Sequence, residues 1–277
     1  MGPTDVLCRH LNALASGVDR PARVAHDPVK WPRRYTMGSD REIAGLVASS
    51  LAFGRVAAFQ ETLGSVFAVL DAAGGPTRAA TISNGLRGLD PLRHRWIGGA
   101  EVATLVRAAA TLVGRHGSLG SVAQGSDLAS ALGALVDALR SAAGESAPQL
   151  DRLVSDPRRG SACKRLAMFA RWMVRTDDGV DLGVWNHLRP DQLVIPLDTH
   201  VARISRFVGL LTRATTDWKA ALEVTAGLAT FDEMDPVRFD FALAHLGISG
   251  ACRGYRHRPT CELCPLDAVC QAPLRIR

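Results

Sequence analysis

Three observations predict an all-α fold. Apolar residues recur at helical spacing along nearly the whole chain. Helix-opening signals stand ahead of these stripes, and no convincing run of alternating apolar and polar residues marks a strand. The stretch SDREIAGLVASSLAF (39–53) sets Ser39 and Glu42 at capping-box spacing, then Ile43, Leu46, Val47 and Leu51 along one stripe. The next helix carries Phe59, Leu63, Val66, Phe67 and Leu70. Further helices are expected over 101–115, 127–142, 163–175, 199–208 and 217–229. Another is expected to open at Asp235-Pro236, with Asp as N-cap and Pro in the first turn. The stretches 74–91 and 143–149 read as connections, and 175–196 as a longer irregular segment containing Gly179, Gly183 and two prolines.

At 277 residues with 47% hydrophobic composition, the chain can bury a substantial core. No apolar run has the length of a signal peptide or a membrane span, so a cytoplasmic protein is expected. In that compartment clustered cysteines point to metal or redox chemistry rather than to structural disulfides. The net charge of +6 suits an anionic partner. Of the 33 basic residues only Lys30, Lys164 and Lys219 are lysines. This singles out each lysine, because arginine does not lose its proton to become a nucleophile.

Most of the thiols lie in the tail, spaced Cys252-x8-Cys261-x2-Cys264-x5-Cys270. A structural zinc site usually has two C-x2-C knuckles, and only one is present. A [4Fe–4S] cluster, whose four thiolates sit at the corners of a larger tetrahedron, suits the spacing better, with Pro265 turning the chain around it. Zinc and unliganded thiols stay open as alternatives. Arg253, Arg256, His257 and Arg258 crowd the interval between the first two cysteines.

Upstream, VIPLDTHVARISRFVGLL leads through Pro196 into Asp198, and Val201, Ile204, Val208 and Leu211 follow as a buried stripe. Asp198 is thereby expected at a helix N-cap, where free N–H groups and the helix dipole favour a carboxylate. Earlier still, DPRRGSACKRLAMFARWMVR holds Gly160 in a turn, flanked by Arg158 and Arg159 and followed by Lys164.

Turn lysine, capping aspartate and cysteine tail, in that order, resemble the endonuclease III branch of the helix-hairpin-helix DNA glycosylases. Gly160 matches the first glycine of that family's Leu-Pro-Gly-x-Gly turn, Ala162 stands in place of the second, and Lys164 falls at its lysine. The eight residues between Cys252 and Cys261 exceed the family's spacer. The 34 residues from Lys164 to Asp198 resemble the spacing in archaeal 8-oxoguanine glycosylases instead. The segments GSACKR, RWMVR, DDGVDLG and IPLDTHV are similar to a bacterial and archaeal branch of the same superfamily.

The resemblance implies a two-lobed helix-hairpin-helix glycosylase fold, with 40–185 as one lobe and 1–39 plus 186–277 as the other. The second lobe would carry a [4Fe–4S] cluster on Cys252, Cys261, Cys264 and Cys270. It further implies a monomer acting on double-stranded DNA with a damaged base, cytoplasmic and nucleoid-associated when bound. Arg158, Arg159, Gly160, Arg55, Arg253, Arg256 and Arg258 would contact DNA. The target base would be extruded between the lobes. Asp198 would stabilise the charge left on the sugar while Lys164 attacks the anomeric carbon as a Schiff-base nucleophile. Lys164 as a phosphate contact, with water as the nucleophile, is one alternative; lesion binding without cutting is another. Phe53, Gly54 and Arg55 occupy the family's base-intercalating loop. Trp172 and Trp185 flank the active segment as base-stacking or core residues.

Overall fold

The computed structural model describes residues 3–274 and is mostly helical. In chain order the first helices are α1 (Pro3–Ser16), α2 (Arg20–Val24), α3 (Gly38–Leu51), α4 (Val56–Ala72) and α5 (Pro76–Thr81). A small hairpin of β1 (Arg93–His94) and β2 (Ile97–Gly98) precedes α6 (Gly99–His116) and α7 (Leu128–Ala143). The rest comprises α8 (Lys164–Val174), α9 (Thr199–Phe207), α10 (Trp218–Ala229), α11 (Asp240–Ile248) and α12 (Arg258–Cys261). Among the described residues, no helix is long and apolar enough to cross a membrane.

The chain divides into two compact units: residues 1–23, 160–164 and 190–277, and residues 24–159 with 165–189. Residues 24–39 thus cluster with the helices that follow them rather than with the termini. There Trp31 lies flat on Phe67, with ring centroids 4.8 Å apart.

In the unit built on 24–159, the apolar stripes of α3, α4, α6, α7 and α8 meet in one core around Leu46, Phe67, Leu105, Leu132 and Phe169. The hairpin leads tightly into α6. A Cβ on Gly99 would lie 1.7 Å from the Leu89 carbonyl oxygen, so only glycine fits that start. Glu101 accepts from the Gly98 N–H at 3.1 Å and caps the helix.

The capping box expected of Ser39 and Glu42 does not form. Met37 is the N-cap of α3, and Glu42 is buried instead. Its Oε1 accepts from the Ser118 hydroxyl at 2.5 Å, the Gly120 N–H at 3.2 Å and the Trp185 indole N–H. A carboxylate taken out of water needs strong donors, and those brought by distant segments outcompete the local cap. The DDGVDLG segment folds on a similar buried charge. Asp181, fully buried, pairs with Arg171 at 3.0 Å and with Arg175, while Asp177 at the surface pairs with Arg33 at 2.9 Å.

In the unit holding the termini, α9 and α11 pack almost backbone to backbone. A Cβ on Gly247 would come 2.5 Å from the His200 Cβ. Asp217 caps α10 by accepting from the Ala220 N–H at 2.8 Å. Asp235-Pro236 opens a 3-10 turn over Pro236–Phe239, not an α-helix, because Arg238 N–H bonds back only three residues, to the Asp235 carbonyl at 3.2 Å. The α-helix begins at Asp240.

Candidate functional site

The turn before α8 departs from a two-glycine pattern in a definite way. Gly160 has φ 87°, as a tight turn demands, and its carbonyl accepts from the Trp218 N–H at 3.1 Å. Ala162 avoids positive φ; the left-handed residue is Cys163, at φ 45°. A non-glycine residue there costs roughly 1–2 kcal/mol, which the buried packing of Cys163 must offset. Lys164 follows as the half-buried first residue of α8. Arg159 is exposed. Arg158 is committed to carboxylates, bonding Asp156 at 2.7 Å and Asp137 at 2.9 Å, and its guanidinium holds the Asp156 carboxyl below the usual range.

Asp198 is the N-cap of α9, as its sequence context predicts. One oxygen, Oδ1, accepts from both the His200 N–H at 2.8 Å and the Val201 N–H at 2.9 Å. Among the described residues Oδ2 has no hydrogen-bond partner, so the half-buried carboxylate keeps a free edge. One turn on, Arg203 donates to the Cys252 carbonyl at 3.0 Å and packs its stem 3.3 Å from where a Gly254 Cβ would sit. The helix that Asp198 caps is therefore fastened to the start of the cysteine tail.

In that tail the four thiols are electrostatic neighbours. Burial raises the Cys264 thiol, and Cys270, Cys252 and Cys261 raise it further; burial likewise raises Cys270, against the pull of Arg256. All four are half-buried. Among the described residues, no three His, Cys, Asp or Glu side chains converge closely enough to hold a single metal ion. Four neighbouring thiols nevertheless supply the donor chemistry of an iron–sulfur or zinc centre, each of which takes thiolates. Arg256 turns inward, bonding the Asp267 carboxylate at 2.5 Å and the carbonyls of Asp267 and Cys270 at 3.0 and 2.9 Å. It closes the tail on itself, which leaves Arg253 and Arg258 as the exposed arginines of the interval.

The residues expected of an intercalating loop sit at the end of α3. Gly54, at φ 88°, turns the chain between half-buried Phe53 and exposed Arg55. Phe53 is covered by the Arg165 guanidinium at 5.2 Å and stacks on Trp96, ring centroids 5.3 Å apart. His94 locks this pair, with Nε2 at 3.1 Å from the Phe53 carbonyl and Nδ1 at 3.0 Å from the Thr62 hydroxyl. The same hairpin walls a cavity of about 420 Å³ bordered by Glu61, Ser65 and Arg93. Sequence reasoning overlooked Trp96 and Arg95. The available signal was the short HRWIGG segment, whose two-residue turn is followed by paired glycines.

Trp172 and Trp185 require correction as base-stacking candidates, since only 1% and 4% of their surfaces reach solvent. Trp172 is a core side chain, and Trp185 meets Phe169 edge-on at 5.3 Å while donating to Glu42. Neither has a free face.

No curated protein and no solved structure matches the chain. A family model does match, over residues 27–249, a span that includes Lys164 and Asp198 and stops short of Cys252. Because it covers most of the sequence, the chain belongs to that family, whose description is "Protein of unknown function (DUF2400)".

Proposed function

We propose that the protein is a DNA repair glycosylase with β-lyase activity, excising a damaged base, an oxidised one such as 8-oxoguanine, from double-stranded DNA. The observation that carries this reading is the free Oδ2 edge of Asp198 at the positive end of α9, in the same compact unit as Lys164 at the start of α8. The order and character of these groups are those expected from the resemblance to helix-hairpin-helix glycosylases.

In the reaction, Asp198 stabilises positive charge developing on the sugar and accepts the proton that Lys164 sheds. Lys164 Nζ bonds to the anomeric carbon as the base departs with the glycosidic electron pair. Opening of the sugar gives an imine, loss of the adjacent proton follows, and the 3′ phosphate leaves to nick the strand. Exposed Arg159, Arg253 and Arg258 hold phosphates. Cys252, Cys261, Cys264 and Cys270 would hold a [4Fe–4S] cluster, which when bound stiffens the tail rather than entering the chemistry.

Borohydride trapping on lesion-bearing duplexes tests this. A covalent adduct that disappears in Lys164→Gln supports the lyase. Base release without an adduct assigns the chemistry to water, and tight lesion binding with no release, indifferent to Asp198→Asn, leaves a binding protein only.

A further inference from the structure

We propose that Trp96 and Phe53, with the arginines around them, form a stacking site for an unpaired nucleobase. This deepens the nucleic-acid reading above by naming the strand feature that the unit would recognise. Among the described residues Trp96 is the one exposed Trp, Tyr or Phe, with 52% of its surface in solvent. The fold of the chain gains nothing by leaving an indole in water, and stacking on a base would cover it.

The ring is also held in place. Arg95 and Trp96 are the two residues joining β1 to β2, and Arg95 takes φ 56°, a conformation in which glycine would be at ease. Such strain at a non-glycine residue is commonly stored where a side chain must be presented. Behind the indole, Phe53 stacks at an interplanar angle of 25°, and His94 ties the Phe53 backbone to the hairpin. Trp96 therefore rests on a ring whose backbone is fixed to the hairpin.

The charge is right for a nucleotide. The Arg95 guanidinium lies over the indole at 4.7 Å, and Arg55 and Arg93 are exposed nearby in sequence on the two segments that meet there. Glu61 is the acid bordering the adjoining cavity. An aromatic face flanked by arginines binds base and phosphate of a single strand together, with little dependence on base identity. An acidic peptide would use the arginines and leave the indole idle.

The test compares two labelled single strands of equal length, oligo-dT and a strand of reduced, tetrahydrofuran abasic residues, by fluorescence anisotropy at fixed low salt. Wild-type protein is expected to prefer oligo-dT. Trp96→Leu is expected to lose about 5- to 100-fold on oligo-dT, the usual range for one base–aromatic contact, with no change on the abasic strand. Trp96→Phe should retain most of the preference. Equal loss on both strands, an unaltered preference in Trp96→Leu, or no binding of either strand by the wild type would overturn the proposal. Circular dichroism confirms that the exposed substitution leaves the fold intact. Because oligo-dT holds no damaged base and the reduced abasic sugars cannot form an imine, failure here leaves adduct trapping at Lys164 untouched, and absence of trapping leaves the stacking result standing.

Discussion

The imidazole of His94, nearly fully buried, bonds the backbone carbonyl of Phe53 at 3.1 Å and so binds the hairpin to the end of α3. A carbonyl can only accept, so Nε2 carries a proton, while Nδ1 lies 3.0 Å from the Thr62 hydroxyl, which also reaches the Ala58 carbonyl at 3.0 Å. Burial disfavours a second proton on this ring, whose charge would also stand beside the Arg95 guanidinium.

Acid should therefore loosen this corner. Burial pushes His94 below its ordinary value of 6.5, with the Arg95 charge acting in the same direction against the Phe53 carbonyl. The unfolded chain then binds a proton that the folded chain resists. The stabilisation is complete above about pH 6.5 and is lost as pH falls through the folded value. Urea midpoints should decline on acidification below that pH, and His94→Gln should be less stable at neutrality with a flatter acid limb.

Asp198 separates folding from chemistry. Asn caps helices about as well as Asp, so Asp198→Asn should shift stability by only a few tenths of a kcal/mol, whereas Asp198→Ala should lose about 1 kcal/mol. Base release should fall about 100-fold or more in both, since each removes the charge that the proposed reaction requires. Thermal melts set beside single-turnover assays read the two effects independently.

Asp181 should be among the most sensitive surface-remote positions. Replacing it with Asn takes a buried carboxylate from Arg171 and leaves Arg175 its pairing with Asp178, and breaking a buried pair costs about 3–5 kcal/mol. Asp177→Asn removes a largely exposed partner of Arg33 and should cost less than about 1 kcal/mol. Equilibrium unfolding of the pair gives the contrast.

Gly247→Ala should destabilise by about 1–3 kcal/mol through overpacking, because its new methyl would meet the root of the His200 side chain at 2.5 Å. If the two helices instead part freely, the melting temperature will hardly move.

The tail makes a chemical prediction. Protein purified without oxygen should contain iron and labile sulfide and show broad visible absorption from iron–sulfide charge transfer. Cys264→Ser should lose both and loosen the tail towards proteolysis, while Cys8→Ser should retain them. Zinc in place of iron would sink the cluster assignment.

Helices with a clear apolar stripe were legible in the chain, as was the cap at Asp198, because stripe and cap both arise from residues within a few positions of one another. The spacing of the thiols was legible for the same reason. Local patterns also misled. Ser39 and Glu42 have capping-box spacing, yet burial and three distant donors took Glu42 away. Asp235-Pro236 has an α-helical opening and yields a 3-10 turn. Aromatic residues gave least away, since exposure is a property of the packed molecule. Trp172 and Trp185 vanish into the core, whereas Trp96, in a segment with no periodicity, stands in solvent.

By itself, then, the sequence determined the helical class, the position of Asp198 at a helix start, and the grouping of four cysteines in one tail. Only the tertiary structure decided that Arg158 and Arg256 are held by carboxylates, and that Phe53 and Trp96 share one stacked surface. Local free energy follows from neighbours along the chain. Which charge is neutralised and which ring is covered depends on segments tens to hundreds of residues away, and those are joined only when the core closes.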